Sequence, residues 1–393
     1  MERATEALEE HLRSKSTPAT SPIDTETSIK PEPIPRQTAE HIDHTLIQKK
    51  AEDLIREGKI AEAEALYIKL ISAKSRNHIV YGNLATICGS RGEYKKMMEY
   101  SLKALSIKPN YPEVLNGLGH GYLQSDEPDK AIECFKQAIR CNSKYASAYN
   151  NLGNAYRKVW RLAESIWNYE QATKLEPNNA SYHHNLALAL HEKSSPTKAI
   201  KALKTAISLK PDYYGAIVDL AMIELQTGNY EEGLKRYEDR LKAPHTKNLI
   251  NATPKCKIWK GQTIGKKARL LLVSEQGLGD TLQFMRYAVS LRERGFNVSI
   301  AAPVELHGLI KQSKIDDSPL SPDEANQIQD GYWCPLLSSL RYLGVNQSNP
   351  VINHKYITAK KESYKKWQQL LKNEPILLFY KLWHLLKPFR ELD

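Results

Sequence analysis

The feature that most constrains the fold of this chain is a repeat of 34 residues. Prolines at 109, 177 and 211 close similar segments, such as AIKALKTAISLKP, and fall into register when the chain is cut at this period. Six units follow without a gap: 44–77, 78–111, 112–145, 146–179, 180–213 and 214–247. A unit this short cannot bury a core alone, so the pattern predicts units that stack on their neighbours.

Small and bulky residues recur within each unit and predict a helix, a turn and a second helix. The eighth position is always small, the twentieth is nearly so, and the twenty-fourth is often bulky, as at Tyr67, Phe135 and Tyr169. Two helices can cross closely only where side chains are small, and a bulky residue can then fill the space beside them. The eighth-position residues are Ala51, Ala85, Gly119, Gly153, Ala187 and Ala221.

This period and pattern resemble the tetratricopeptide (TPR) repeat. The resemblance implies an α-solenoid, a right-handed TPR superhelix of stacked helical hairpins with a concave groove that binds a protein or peptide. Ser143 replaces the closing proline of the third unit. The sixth unit loses the pattern after Leu241, as a terminal repeat would.

Polar residues occupy the groove positions that the resemblance assigns to the first helices. They are Asn83, Asn116, Asn150, Asn151, Asn185 and Asp219, with His184 beside them. A carboxamide donates and accepts hydrogen bonds, so a row of them matches the backbone of an extended peptide. The row resembles the asparagine ladder of the O-linked N-acetylglucosamine transferase, which implies a groove for a polypeptide acceptor. The alternative is that these are solvated consensus residues of the repeat.

The period changes after a polar and basic segment, 248–267, that we interpret as a linker. Beyond it, 268–393 opens with the apolar run ARLLLVSE, an amphipathic segment DTLQFMRYAVSLRERG closed by Gly295, and a second apolar run, FNVSIAAP. Strand, helix and strand in this order predict one βαβ unit of a Rossmann-like parallel sheet. Pro303 is expected to open a further helix.

A glycine turn follows the first predicted strand, in the segment SEQGLGD. Such a turn lies at the carboxyl edge of the sheet, so Gln276, Gly277 and Gly279 are candidates for a phosphate or ligand loop. The dinucleotide fingerprint fails because Leu282 stands where its third glycine belongs, which argues against an NAD enzyme.

The segments WKG, EQGLGDTLQFMRY and WCPLLSSLRYLG resemble the N-terminal half of bacterial TPR-linked glycosyltransferases, which are similar to heptosyltransferases. The resemblance implies a candidate catalytic base at Asp280, which could take a proton from an acceptor hydroxyl. The D-x-x-Q spacing of Asp280 and Gln283 equally suits a helix N-cap and its reciprocal partner.

Too few residues follow Pro375 for the half that would bind a nucleotide sugar, so we expect a truncated, vestigial glycosyltransferase half without a cofactor. The alternative is an enzyme whose donor half comes from another chain.

Charge, cysteine content and hydropathy narrow the kinds of partner, site and location that the chain can have. The net charge of +11 could favour anionic partners, but Lys-rich surfaces are usually just solvated, and nucleic acid is an unlikely partner. The five cysteines are scattered and form no CxxC, so the sequence predicts no disulfides. It also predicts no metal site, because the pair His183–His184 has no acidic or Cys partner at helical spacing. The chain has no secretory segment and no apolar stretch that could span a membrane, which favours the cytoplasm.

The N-terminal 43 residues are expected to be disordered because they are dominated by Ser, Thr, Pro and Glu. Within them, ATEALEEHL could form a short helix with Ala4, Leu8 and Leu12 on one side. So few turns are marginal alone in water.

Overall fold

The computed structural model describes residues 44–243, 249–275, 277–350, 356–358 and 362. The expectations for 1–43, for Gln276 and for the segment after residue 375 lie outside these residues.

Each predicted repeat contains two helices, and each first helix begins where its unit was predicted to begin. The pairs are α1 His44–Arg56 and α2 Ile60–Ser72, α3 His78–Ser90 and α4 Tyr94–Ile107, α5 Pro112–Gln124 and α6 Pro128–Cys141, α7 Ala146–Lys158 and α8 Leu162–Leu175, α9 Ala180–Glu192 and α10 Pro196–Leu209, α11 Tyr214–Gln226 and α12 Tyr230–Tyr237. A 3-10 turn, Glu238–Leu241, follows α12. The predicted helical solenoid is confirmed.

The small residues sit where the second helix presses an aromatic ring onto the first. A Cβ added at Gly119 would lie 2.6 Å from the ring of Phe135, and one added at Gly153 would lie 2.7 Å from that of Tyr169. Both rings are fully buried. The space left by the missing Cβ is therefore filled by the ring, as the sequence predicted.

The stack of helices has one side on which successive repeats approach more closely. The first helices α3, α5, α7 and α9 contact one another directly from repeat to repeat. Each second helix reaches the next repeat chiefly through the first helix of that repeat. The layer of first helices is thus the shorter side, toward which a stack bends. This places the polar positions of the first helices on the groove side.

A small four-stranded parallel sheet follows the solenoid. Its strands are β1 Lys257–Ile258, β2 Arg269–Val273, β3 Asn297–Ala301 and β4 Tyr332–Pro335, in the order β1-β4-β2-β3. The helices of this module are α13 Leu278–Phe284, α14 Arg286–Glu293, α15 Val304–Gln312, α16 Pro322–Asn326 and α17 Ser339–Leu343, with a 3-10 turn at Leu336–Ser338. The strand–helix–strand prediction for β2 and β3 is confirmed at this level.

Two sequence-based interpretations need correction in this module. The segment 248–267 is more than a linker, since its described part supplies β1 and the buried Trp259, whose ring packs edge-on against Phe296 and Tyr342. The amphipathic helix begins at Leu278 and consists of α13 and α14, which meet at Met285. Gly295, with φ of +88°, ends it as expected.

In the part of the chain that the structure describes, no helix combines the length and apolar character needed to cross a membrane.

A side-chain ladder in the groove and the cavity at its end

The predicted groove residues form a ladder in which each rung joins two neighbouring repeats. The Nδ2 of Asn151 donates to the Oδ1 of Asn116 at 3.0 Å, and the Nδ2 of Asn185 donates to the Oδ1 of Asn150 at 2.9 Å. Both pairs are 35 residues apart, so the fifth position of one repeat bonds the sixth position of the next. The first helices hold these side chains in register because they contact one another directly.

The rungs leave part of each carboxamide unused. Asn151 and Asn185 each spend one N–H on a rung, so each keeps its second N–H. The Oδ1 of Asn151 receives only a long 3.4 Å contact from Asn150, and the Oδ1 of Asn185 has no partner among the described residues. Asn150 itself is buried. The ladder therefore presents donors and acceptors mainly from Asn151 and Asn185.

The final rung is ionisable and joins the fifth repeat to the sixth. The Nε2 of His184 lies 2.6 Å from the Oδ2 of Asp219, and its Nδ1 lies 2.8 Å from the hydroxyl of Tyr213. Because a carboxylate only accepts, Nε2 carries the hydrogen, and in the neutral ring Nδ1 accepts from Tyr213. Burial raises the pKa of Tyr213, and the charge of Asp219 adds to this.

Asn83, the first residue of the predicted row, is not part of this ladder. Its Nδ2 donates to the hydroxyl of Tyr67 at 2.8 Å, within the stack of the first two repeats. The row is interrupted between the second and third repeats because the positions that would form the rung are Gly82 and Gly117.

The ladder ends at a cavity between the last repeat and the sheet module. This junction cavity has a volume of about 400 Å³, and its lining includes Asp219, Tyr237, Arg240, Glu275 and Asp280. The structure thus brings together two residues that were predicted for different sites, Asp219 of the groove and Asp280 of the glycine turn.

A buried ion pair forms one wall of this cavity and joins the two parts of the chain. Arg240 donates to both carboxylate oxygens of Glu275, at 2.8 and 2.7 Å, and both side chains are 5% exposed. Arg240 also donates hydrogen bonds to the hydroxyl of Ser338 and to the carbonyl of Tyr237. Its guanidinium carbon lies over the ring of Tyr237, 4.5 Å from the ring centroid. Burial is the largest influence on the pKa of Arg240 and would lower it, but the hydrogen bonds and charge of Glu275 raise it above its usual value.

The glycine turn differs from the capping interpretation of Asp280. Gly277, with φ of +98°, is the N-cap of α13, and Asp280 lies in the first turn without a side-chain capping bond. The hydroxyl of Thr281 instead donates to the carbonyl of Gly277 at 3.0 Å. The N-cap interpretation is therefore wrong, because the left-handed glycine starts the helix three residues earlier.

The surroundings of the loop residues bear on their chemistry. Gly277, Gly279 and Asp280 are exposed, and Asp280 has no hydrogen-bond partner among the described residues. The pKa of the neighbouring Tyr237 is raised, and burial is the largest cause. The positive charge of Arg240 lowers this pKa, whereas the negative charges of Glu275 and Asp280 raise it.

Sequence reasoning missed Arg240 and Glu275. Glu275 is the last residue of the apolar run ARLLLVSE that predicts a buried strand, and a charged residue in that position was the one available signal. Its partner is 35 residues away in the irregular end of the solenoid, where no pattern marks it. Among the described residues, no group of three or more His, Cys, Asp or Glu is placed to hold a metal ion.

Comparison with known families identifies the repeats. A family model described as TPR repeat matches residues 119–159 and 161–194, and one described as tetratricopeptide repeat matches 79–111 and 180–213. These ranges lie in the second to fifth repeats described above, and two of them cross from one repeat into the next. Residues 79–213 therefore contain tetratricopeptide repeats.

Solved structures similar to the chain include several helical proteins. The crystal structure of MamA is 25% identical, over 40% of this chain and 93% of its own, with a TM-score of 0.38. MamA from Desulfovibrio magneticus RS-1 is 17% identical, over 44% and 97%, with a TM-score of 0.40. PilF of Pseudomonas aeruginosa is 14% identical, over 51% and 90%, with a TM-score of 0.46. Scores of this size carry no functional argument. A search of the curated proteins finds no match.

Proposed function

We propose that this protein is a scaffold that binds an extended polypeptide in the groove of its TPR solenoid. The observation that carries the proposal is the ladder itself, in which Asn151 and Asn185 are held in register by bonds to the preceding repeat. Each keeps an N–H and a carbonyl oxygen for a ligand. A peptide backbone offers the complementary C=O and N–H groups at every residue, so recognition would depend little on sequence.

The rungs favour binding because they fix the carboxamides before the ligand arrives. An asparagine that is already held by a neighbour loses less rotamer freedom when it binds, and this cost is otherwise about 0.5 to 1.5 kcal/mol per side chain. The same argument explains why the rungs do not compete with the ligand. They use the Oδ1 of the residue in the preceding repeat and only one N–H of the next.

Anisotropy of labelled, unstructured peptides would test this function. Asn151→Ala with Asn185→Ala removes the ligand-facing carboxamides, and two hydrogen bonds at about 0.5 to 1.5 kcal/mol each predict a loss of about 1 to 3 kcal/mol in binding. Asn142→Ala with Asn178→Ala, at exposed positions outside the ladder, is the matched control. Equal affinity of both double variants, with unchanged helical circular dichroism, would refute the proposal.

We further propose that the sheet module is a vestigial, heptosyltransferase-like half without catalysis of its own. The motif resemblance supports the kinship. The lack of catalysis is supported by the exposed Asp280 having no hydrogen-bond partner among the described residues, because nothing there orients this carboxylate toward an acceptor hydroxyl.

The alternative is a protein or glycan glycosyltransferase that takes its donor half from another chain. The observation that favours it is the junction cavity, where Asp280 lies at the end of the ladder that would position an acceptor. A radiolabelled nucleotide-sugar panel on the wild type and on Asp280→Asn separates the two. Turnover that Asp280→Asn abolishes at unchanged melting temperature would establish the enzyme, since an amide cannot accept the proton.

A further inference from the structure

A polar cavity lies at the amino edge of the sheet, opposite the glycine turn. It has a volume of about 640 Å³, and we call it the amino-edge cavity. The four strands are parallel, and residues at or just before the start of each strand line the cavity. None of its described lining residues belongs to the ladder or to the junction cavity. The lining consists of 255–257, 267–269, Asn297 and 329–332.

The lining of the amino-edge cavity is strongly positive. Four of its residues are cationic and one, Asp330, is anionic. Within the part of the chain that the structure describes, none of the five belongs to an ion pair. Four positive charges against one negative charge leave a local excess of three, which a bound anion would offset. The cationic residues are Lys255, Lys257, Lys267 and Arg269.

Arg269 distinguishes this cavity from an ordinary solvated lysine surface. The residue is half-buried, and its guanidinium has no hydrogen-bond or ion-pair partner among the described residues. A guanidinium carries five N–H donors, so partial burial without acceptors is unfavourable. Burial raises the pKa of the Cys256 thiol in the same lining, and the positive charge of Arg269 opposes this. A ligand that brings several acceptors and a negative charge is therefore favoured beside Arg269.

The sheet holds two of the cations on either side of one strand. In the order β1-β4-β2-β3, β4 lies between the strands that begin at Lys257 and at Arg269. Neighbouring strands are about 4.8 Å apart, so the backbones of these two residues are roughly 10 Å apart. A Cβ at Gly331, whose φ is +82°, would lie 2.6 Å from the carbonyl oxygen of Arg269, so glycine lets the loop into β4 pack closely on β2. Two long cationic side chains can therefore reach one small anion from both sides.

The lining favours adjacent phosphate groups over other ligands. Arginine binds phosphate bidentately, and lysine binds it as a point charge. A single phosphate carries about two negative charges at most, which is less than the excess of three, whereas two or more adjacent phosphates can offset it. Tyr332 is the one aromatic residue in the described lining, and it packs against the core of the sheet. A nucleobase would find little stacking surface here.

We propose that the amino-edge cavity binds a small oligophosphate, a soluble ligand with at least two adjacent phosphate groups. The phosphates contact Lys257 and Arg269 from the two sides of β4, and Lys255 and Lys267 add charge at the rim. Inorganic oligophosphates and the phosphate chains of nucleotides share this chemistry. The ligand joins the segments that enter β1, β2 and β4, so its binding stabilises the sheet module.

Calorimetric titration of the full chain with tripolyphosphate tests the site. Lys257→Gln with Lys267→Gln should weaken binding about tenfold, because each exposed charge pair contributes a factor of about three. Lys49→Gln with Lys50→Gln removes the same charge from α1 and should leave the affinity unchanged. All four side chains are exposed, so both double variants should melt at the wild-type temperature without ligand. Arg269→Lys keeps the charge but loses bidentate binding, and it should also weaken the affinity.

The thiol of Cys256 reports whether the ligand occupies this cavity. Cys256 is half-buried in the lining, whereas Cys141 is exposed on the third repeat. Tripolyphosphate should slow alkylation of Cys256 by N-ethylmaleimide and leave that of Cys141 unchanged, as measured by peptide mass spectrometry. The slowing should be lost in Lys257→Gln with Lys267→Gln.

Three competing anions decide what is recognised. The proposal is overturned if citrate, which is multivalent without phosphate, binds as tightly as tripolyphosphate, or if Lys257→Gln with Lys267→Gln keeps the wild-type affinity. Equal affinity for ATP and tripolyphosphate would show that phosphates alone are recognised, and tighter binding of ATP would identify a nucleotide as the source; either result supports the site. Tighter binding of a short single-stranded RNA than of tripolyphosphate would overturn the proposal and assign the surface to nucleic acid.

Discussion

Removing the guanidinium of Arg240 should uncouple the sheet module from the solenoid. Arg240→Met keeps an apolar side chain of similar length over Tyr237 but deletes both bonds to Glu275 and those to Ser338 and the backbone. The carboxylate of Glu275 then stays buried, and among the described residues it keeps only the backbone N–H of Leu337 as a partner, at 3.1 Å. A buried carboxylate left without its cation is the origin of the expected loss.

The magnitude follows from the burial of the pair. Breaking a buried ion pair by removing one partner costs about 3 to 5 kcal/mol, whereas an exposed pair contributes about 0 to 1 kcal/mol. Arg56→Met is the exposed control, because the side chains of Arg56 and Asp53 are 71% and 46% exposed. Adding Glu275→Gln to Arg240→Met removes the unpaired charge while keeping an acceptor for Leu337, so the double variant should regain stability.

Exchange of β2, followed by mass spectrometry, reports the module directly, and helical circular dichroism reports the solenoid. In Arg240→Met the β2 amides should open with a free energy lower by about 3 to 5 kcal/mol, while α1 to α6 change little because contacts in a solenoid are mostly between neighbours. The reasoning is refuted if Arg240→Met matches Arg56→Met, or if Glu275→Gln makes the single variant worse.

Three further predictions concern packing, the glycine turn and a half-buried thiol. Gly153→Ala should destabilise by about 1 to 3 kcal/mol in urea unfolding, because its Cβ would lie 2.7 Å from the ring of Tyr169, whereas Gly117→Ala meets nothing within 4 Å and should stabilise its helix. Asp280→Ala and Asp280→Asn should both lower stability by no more than about 1 kcal/mol in thermal melts, since neither loses a cap; a markedly milder Asn variant would restore the capping interpretation. Burial raises the pKa of the Cys134 thiol from 9.0 to about 11. The stability that the neutral thiol contributes to the folded state is therefore complete below pH 9 and is lost as pH rises toward 11. Melting temperatures should therefore fall more steeply over this range in the wild type than in Cys134→Ala.

The solenoid could be predicted from sequence because its determinants are local. The contact of Tyr169 with Gly153 lies within one repeat, so a period of small and bulky residues encodes it directly. The ladder was predictable only in part. The positions were identified, but the bond from Asn151 to Asn116 depends on how far each repeat is offset along the next, which the period does not specify.

Two interpretations in the second part of the chain were wrong because composition and spacing do not specify tertiary structure. They are the linker interpretation of 248–267 and the N-cap interpretation of Asp280. The segment 248–267 reads as a linker because it is polar and basic, yet Ala252 and Trp259 are buried in the core of the sheet module. The D-x-x-Q spacing at Asp280 satisfies a capping rule, but the rule does not include the dihedral angles of Gly277. Local sequence patterns specify neither the burial of the segment 248–267 nor the backbone conformation of Gly277.

The junction gives the sheet module a structural role that does not depend on catalysis. The last repeat of a solenoid lacks a following neighbour, so its apolar side needs a cap. Here α12 ends early at Tyr237, whose ring packs against the apolar core of the sheet, and α12 contacts α17 directly. The buried pair of Arg240 and Glu275 then fixes the orientation of this contact, because a bidentate bond tolerates little rotation. A module that closes the solenoid in this way stabilises the last repeat whether or not it has activity, and it holds the junction cavity at a constant position relative to the ladder.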